Sequence, residues 1–422
     1  MTPIPTYVMN LRKRTDRKAH IFKEFAGRTE FDVHIVEAIE RERGASGLWE
    51  TLTHILQDRV DPAAEFILLC EDDHQFTGHY SKDLLFGCIA EARERKADVL
   101  CGGVSWFEDP LLVSERLFNL RQFSGLQFTI LFKKFFPAIL NAGFGPKDAA
   151  DYRISDLSKS KFAIHPFIST QKEFGYSDVT HFNSQEGRVN ELFSKSDEHF
   201  RKLVEVNAHY RDLPGEPENG AAGYNYDGIV LPVCVLTSRE RAAGRQHIQQ
   251  QFSGRNEFDI TIVENHQPEG VGTWPRIREI VRAALENDED LIVICGDDHT
   301  FTPEYSPEYL LRNVIGAHNR GAGLLCGGVT NYGHAVPITE HLFWINPFWS
   351  APFIILYKKV FPLILNEPFD DTADADELLS GITSNKMLVF PFVSASKEVA
   401  TEVGPVERLK ALREAYTTFC RR

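Results

Sequence analysis

Three consecutive carboxylates, Glu71, Asp72 and Asp73, follow the apolar run Phe66–Cys70 without a break. Acids held this close repel one another and retain protons unless a cation sits among them. Hard oxygen ligands suit Mg2+ or Mn2+, above all where substrate phosphates complete the coordination shell. In an extended segment Glu71 and Asp73 point to one side and Asp72 to the other. Glu71 and Asp73 are therefore the expected metal pair, and Asp72 is placed to bond a ribose or sugar hydroxyl. The competing reading is a solvated turn that closes a strand. His74, next in the chain, reads more readily as a structural histidine than as a metal ligand.

The elements that must hold these acids can be read from apolar spacing. Phe66–Cys70 is a continuous apolar run, the pattern of a buried central strand. Tyr7–Asn10 and Asp32–Val36 read as further strands, and Thr15–Phe25, Leu48–Val60 and Ser81–Arg95 as helices. Strands alternating with helices imply an α/β domain with a mainly parallel sheet. The acids then fall at the carboxyl end of the central strand, the edge where open α/β sheets bind ligands.

The pattern occurs twice. FILLCEDDHQFT at Phe66–Thr77 returns as LIVICGDDHTFT at Leu291–Thr302, and LCGGV at Leu100–Val104 returns at Leu325–Val329. TILFKKFFPAILN at Thr129–Asn141 returns as IILYKKVFPLILN at Ile354–Asn366, and HPFIS at His165–Ser169 as FPFVS at Phe390–Ser394. These pairs share one spacing, too long for a solenoid repeat, so each copy is a whole domain. The expected organisation is a first domain over residues 1–211, a linker over 212–228 rich in Gly, Pro and Asn, and a second domain over 229–422.

Composition narrows the class. The chain has 422 residues, 43% of them hydrophobic, and a net charge of −14. That balance argues against a non-specific nucleic-acid binder, which needs a basic face. No apolar run approaches the roughly 20 residues of a membrane helix, and Met1–Asn10 has no secretory pattern. The seven cysteines show no zinc spacing, and four lie inside apolar runs, as expected of reduced core residues in a cytoplasmic protein.

The first copy resembles glycosyltransferase family 25, which includes lipooligosaccharide and collagen galactosyltransferases. The resemblance rests on Asn10-Leu11-Arg12-Lys13-Arg14-Thr15-Asp16-Arg17, on Leu52-Thr53-His54, and on Glu71-Asp72-Asp73. Phe128–Leu140 follows in pattern, then Asp151, Pro166, Gln171 and Ser177-Asp178 in order. It implies two tandem GT-A-like (Rossmann-like) domains, a UDP-sugar donor with galactose favoured, Mn2+ or Mg2+, and an inverting transfer to a glycan or protein hydroxyl. Asn10, Arg14, Arg17, His54 and Asp72 become donor-site candidates, with the two arginines offering bidentate phosphate contacts. An inverting transfer needs a carboxylate base; Asp151 and Asp178 are the candidates.

The second copy keeps the apolar blocks and loses the charged points. Asn10-Leu11 becomes Thr237-Ser238, Asp16-Arg17 becomes Ala243-Gly244, His54 becomes Glu279 and Glu71 becomes Gly296. It is expected to be catalytically silent and to serve acceptor binding, stability or homodimerisation. Two other classes fit the same pattern. One is a non-catalytic carbohydrate-binding or scaffold protein built from two pseudo-transferases. The other is a nucleotidyltransferase, although Met9–Thr15 lacks the glycine-rich phosphate loop usual there.

Overall fold

A computed structural model describes residues 2–175, 185–211, 213, 226, 228–238, 242–265, 273–369, 374–397 and 403–420. The chain divides into two compact units: Met1–Glu205 with Thr418–Arg422, and Val206–Thr417. The division falls inside a long helix, ahead of the Gly- and Pro-rich segment 212–228, which lies almost wholly outside the described residues.

Unit 1 opens with β1 (Ile4–Asn10), α1 (Thr15–Phe25), β2 (Phe31–Glu37) and α2 (Gly44–Asp58). Next come β3 (Phe66–Glu71), β4 (His74–Phe76), α3 (Lys82–Glu94) and β5 (Val99–Cys101). Four short strands follow: β6 (Trp106–Glu108), β7 (Leu111–Leu112), β8 (Leu117–Asn119) and β9 (Gln122–Ser124). The unit continues through β10 (Phe128–Phe132), α4 (Phe136–Leu140), α5 (Ala150–Leu157), β11 (Lys161–Ile164) and β12 (Ser169–Gln171) to the start of α6 (Arg188–Arg211).

Its main sheet runs β2-β1-β3-β10-β5-β11-β8-β7. β1 pairs in parallel with β2 and β3, and β5 with β11. β10 lies antiparallel between β3 and β5, and β8 is antiparallel to β11. The sheet is thus mixed rather than mainly parallel. Local apolar pattern shows that Phe128–Phe132 is a buried strand, but strand direction is set by the route the chain takes back to the sheet.

Unit 2 carries β13 (Leu231–Ser238), α7 (Ala242–Phe252), β14 (Phe258–Asn265), α8 (Thr273–Glu286), β15 (Leu291–Gly296) and β16 (His299–Phe301). Then come α9 (Pro307–Asn319), β17 (Leu324–Cys326), β18 (Asn331–Pro337), β19 (Leu342–Trp349) and β20 (Phe353–Tyr357). It ends with α10 (Phe361–Asn366), α11 (Ala375–Gly381), β21 (Lys386–Val389), β22 (Ser394–Ser396) and all but the last residues of α12 (Val403–Phe419). Its sheet runs β14-β13-β15-β20-β17-β21-β19-β18, the same order position by position as in unit 1. All seven cysteines are free thiols. No described helix is long and apolar enough to cross a membrane.

Two of the repeated sequence blocks turn out to be packing devices. In LCGGV, a Cβ on Gly103 would lie 2.2 Å from the Ser169 carbonyl oxygen, and one on Gly328 would lie 2.1 Å from that of Ser394. The glycines let β12 and β22 close over the ends of the main sheets. Gly103→Ala is expected to cost about 1–3 kcal/mol through forced displacement, read as a lower thermal unfolding midpoint; an unchanged midpoint would refute the close approach.

The histidine of DDH is the second device. His74 is fully buried among Phe25, Phe76 and Phe128, and its Nδ1 hydrogen bonds Ser169 Oγ at 2.8 Å. His20 Nε2 donates to the His74 carbonyl at 2.8 Å. His299 repeats this with Phe252, Phe301, Phe353, Ser394 and His247. Burial pushes the imidazole of His74 well below its ordinary range and that of His299 down to about 3. Both rings are therefore neutral core members.

Candidate active site

β1 and β3 are parallel neighbours, so their carboxyl ends bring Asn10 and Glu71 to one edge of the sheet. β3 ends at Glu71, and Asp72-Asp73 form the turn into β4. The alternating geometry of a strand therefore stops one residue early. Asp72 and Asp73 do not point to opposite sides; they share a guanidinium.

That guanidinium belongs to Arg17, in the first turns of α1. Arg17 Nη1 donates to Asp72 Oδ1 at 3.0 Å and to Asp73 Oδ2 at 2.9 Å. The residue is 4% exposed, and its guanidinium carbon lies 4.8 Å from the centre of the Phe174 ring. Arg14 Nη1 donates to Asp72 Oδ1 at 3.4 Å. Asn10 Nδ2 donates to Asp72 Oδ2 at 2.9 Å and to the Arg14 carbonyl at 3.1 Å. Three of the donor-site candidates thus enclose a fourth. Asp72 is buried with charged or amide donors on both oxygens, and it ties β1, β3 and α1 together. The cation that the acid cluster requires is supplied in large part by the protein itself.

Two acids keep an unbalanced face. Asp73 Oδ1 is buried and has no hydrogen-bond partner among the described residues. Burial, opposed by Arg17, pushes the Asp73 carboxyl up to about 6. Glu71 accepts from Gln171 Nε2 at 3.2 Å. Burial first, then the charges of Asp73, Asp151 and Asp72, holds its carboxyl well above the ordinary range. Among the described residues no three His, Cys, Asp or Glu side chains are placed to hold a metal ion. The two carboxylates that would hold a divalent ion are Glu71 and Asp73 with its Oδ1, and such an ion would need substrate phosphates and water to complete its shell.

Asp151 lies in the first turn of α5 and is one of the charges felt by Glu71. Its Oδ2 accepts from Ser124 Oγ at 2.6 Å and from the Gly125 amide at 3.2 Å, pinning the end of β9. The equivalent Asp376 of unit 2 is hydrogen bonded to Ser350 at the matching turn. Turn-holding is therefore common to both copies. His54 is not brought to the cluster. It sits far along α2, which returns from the carboxyl edge of the sheet, and its Nδ1 hydrogen bonds Asp58 at 2.9 Å. Asp178 lies outside the described residues.

Sequence reading missed Gln127 and Phe174. Gln127 is fully buried with Nε2 on the Gly103 carbonyl at 2.9 Å, and its Oε1 has no partner among the described residues. Neither residue sits in a repeated block, so nothing in the chain drew attention to them.

Unit 2 has a reduced form of the same edge. Thr237 Oγ1 donates to Asp297 Oδ2 at 2.7 Å, and Ser396 donates to Asp298. Gly244 stands where unit 1 has Arg17, and a Cβ there would lie 2.7 Å from Asp297 Oδ2, too close without a shift of the carboxylate. Gly296 removes the counterpart of Glu71. The segment 239–241, with two arginines, lies outside the described residues.

No known family profile matches the chain, and no curated protein matches it. Two solved structures of UDP-glucose pyrophosphorylase, one apo and one complexed with UDP-glucose, are each 13% identical to it, with TM-scores of 0.28 and 0.27. Each covers 44% of this chain, over 81% and 80% of its own length respectively.

Proposed function

We propose that unit 1 is a metal-dependent inverting glycosyltransferase that moves a hexose, galactose favoured, from a UDP-sugar to a hydroxyl acceptor, and that unit 2 is a non-catalytic GT-A-like relative. One observation carries the reading. At the carboxyl edge of an α/β sheet, Asn10, Arg14 and Arg17 fix Asp72 and Asp73 while leaving Asp73 Oδ1 and Glu71 facing an unfilled charge requirement. The resemblance of residues 10–17 and 71–73 to family 25 supplies the substrate class.

Each residue then has a role. Glu71 and Asp73 would hold Mn2+ or Mg2+, which when bound offsets the negative charge developing on the departing diphosphate. Arg17 is too buried to reach substrate and is a positioning residue. It holds both aspartates in place, so little reorganisation is needed when the donor arrives. Asp151 is the assigned base. Its Oδ2 is fixed by Ser124 and Gly125, and the carboxylate takes the proton of the acceptor hydroxyl as that oxygen attacks the anomeric carbon. The bond from the anomeric carbon to the diphosphate oxygen breaks, and UDP leaves.

The test is release of UDP from UDP-galactose and UDP-glucose by the full chain, with Mn2+ and with chelator. Metal-dependent release is expected. Binding of nucleotide sugars with no release under any metal or acceptor would favour the pseudo-transferase alternative.

A further inference from the structure

β6 and β9 form a two-stranded ribbon next to α5, in the register Trp106↔Ser124, Phe107↔Phe123 and Glu108↔Gln122. Alternation sends Phe107 and Phe123 into the core, where Phe107 packs on Phe200 of α6 at 4.5 Å between ring centres. The other face carries Trp106 and Ser124. Trp106 is 40% exposed and lies 5.7 Å from the ring of Tyr152, itself 41% exposed. Tyr152 follows Asp151, and Ser124 is the residue that bonds Asp151. Two exposed aromatic rings therefore flank the fixed carboxylate of the proposed reaction centre.

The geometry points to a glycan-binding subsite at Trp106 and Tyr152 that takes a pyranose ring of the acceptor. This rests on the transferase reading of unit 1 and commits its acceptor to a sugar rather than a protein side chain. A pyranose has a face of C–H groups that stacks on an aromatic ring and a rim of hydroxyls that needs hydrogen-bond acceptors. The ring pair meets the first requirement and Asp151 the second. Aromatic side chains offer large apolar area at little entropic cost, and Trp and Tyr suit surfaces that are dry on one side and wet on the other.

Unit 2 serves as an internal comparison. Its ribbon has the same register, Asn331↔Trp349 and Tyr332↔Phe348. The inward aromatics are kept, since Tyr332 and Phe348 are buried. The outward pair is not. Asn331 replaces Trp106 and Glu377 replaces Tyr152, in the copy that also lacks the counterparts of Glu71 and Arg17. Aromatic rings that only packed the fold would be retained in both copies, as Phe107 and Phe123 are. Unit 2 keeps one exposed ring on this face, Trp349 in the place of Ser124, but has Asn331 and Glu377 where unit 1 pairs Trp106 with Tyr152 beside the acid.

The experiment needs no turnover. Lactose, cellobiose and chitobiose are titrated into the full chain by saturation-transfer NMR, with wild type, Trp106→Ala, Tyr152→Ala, Trp106→Phe and Trp349→Ala. At least one disaccharide is expected to bind wild type. Trp106→Ala and Tyr152→Ala should each weaken it about tenfold or more, which corresponds to losing roughly 1.4 kcal/mol of contact. Trp106→Phe should recover much of the loss, because it restores an aromatic face. Trp349, 47% exposed on unit 2, is the control, and its alanine variant should bind as wild type does. Binding unaffected by the Trp106 and Tyr152 variants would overturn the assignment. So would the absence of any sugar binding, and if UDP release still occurred the transferase reading would survive with a protein acceptor.

Discussion

Replacing Asp73 by asparagine is expected to remove metal-dependent donor binding and to lower turnover at least ~10²-fold, with unit 1 still folded. The fold should survive because the asparagine carbonyl can still accept from Arg17 Nη1, now 2.9 Å from Asp73 Oδ2. What is lost is the charge at Oδ1, the buried oxygen without a partner among the described residues. The pH dependence follows from the same atoms. Asp73 is raised to about 6 and Glu71 is raised as well, both chiefly by burial. A carboxyl raised in the fold binds its proton more readily than in the unfolded chain. Protonation of these two groups therefore favours the ligand-free fold below their raised values, and this contribution is lost as pH rises through about 6. Metal binding runs the other way: protons compete with the ion, so its affinity should weaken as pH falls through about 6. Calorimetry with Mn2+ and UDP at pH 5, 6, 7 and 8 measures this, and Asp73→Asn should abolish most of the dependence. Asp298→Asn is the matched change in unit 2, where Asp298 accepts from Ser396 and no acid stands at Gly296. It should leave turnover intact. Loss of turnover in the Asp298 variant, with turnover kept in the Asp73 variant, would assign catalysis to the other copy.

Much of the fold is legible in local pattern. Phe66–Cys70 reads as a central strand because a continuous apolar run can be satisfied only by burial on both faces. The repeated blocks predict equivalent elements, and β3 and β15, β10 and β20, and β5 and β17 occupy equivalent sheet positions. Strand direction is not legible in that way. The antiparallel placement of β10 between β3 and β5 depends on contacts between segments distant in sequence. The site divides similarly. The acids, Asn10 and both arginines can be picked out by residue type and motif. Their arrangement cannot, because Arg17 meets Asp72 and Asp73 across more than fifty residues and through a turn that ends the strand one residue early. An acid triplet says only that positive charge is needed nearby. Whether a metal or a guanidinium supplies it depends on which helix N-terminus the sheet brings alongside. The aromatics Trp106, Phe107 and Phe123 look alike as a group, and only the ribbon register separates the exposed ring from the buried ones.

Arg17→Ala should then be the most destabilising single change at this edge, by about 3–5 kcal/mol at neutral pH, because it leaves two buried carboxylates without their main counter-charge. The contact with Phe174 is lost with it. Arg17→Lys should recover only part: one ammonium nitrogen can take the place of Nη1 between Asp72 Oδ1 and Asp73 Oδ2, but the planar guanidinium over Phe174 is lost. Lowering the pH toward about 6 should narrow the gap between variant and wild type, because without the opposing Arg17 charge Asp73 takes up its proton at a higher pH than in the wild type. Unit 2 shows how a chain tolerates the missing arginine: a glycine at 244, a threonine hydroxyl on Asp297 and a serine hydroxyl on Asp298. Transferring that solution as Asn10→Thr, Arg17→Gly and Gln171→Ser should therefore be more stable than Arg17→Gly alone, yet remain inactive, because neutral hydroxyls can satisfy the carboxylates without orienting them toward a donor. Urea unfolding of the single and triple variants, with and without Mn2+ and UDP, separates the contributions. A loss below ~1 kcal/mol for Arg17→Ala would mean that the guanidinium does not balance the cluster. Rescue of that variant by Mn2+ alone would mean that the ion takes the guanidinium's place between the two aspartates, against the separate seat proposed for it at Glu71 and Asp73 Oδ1.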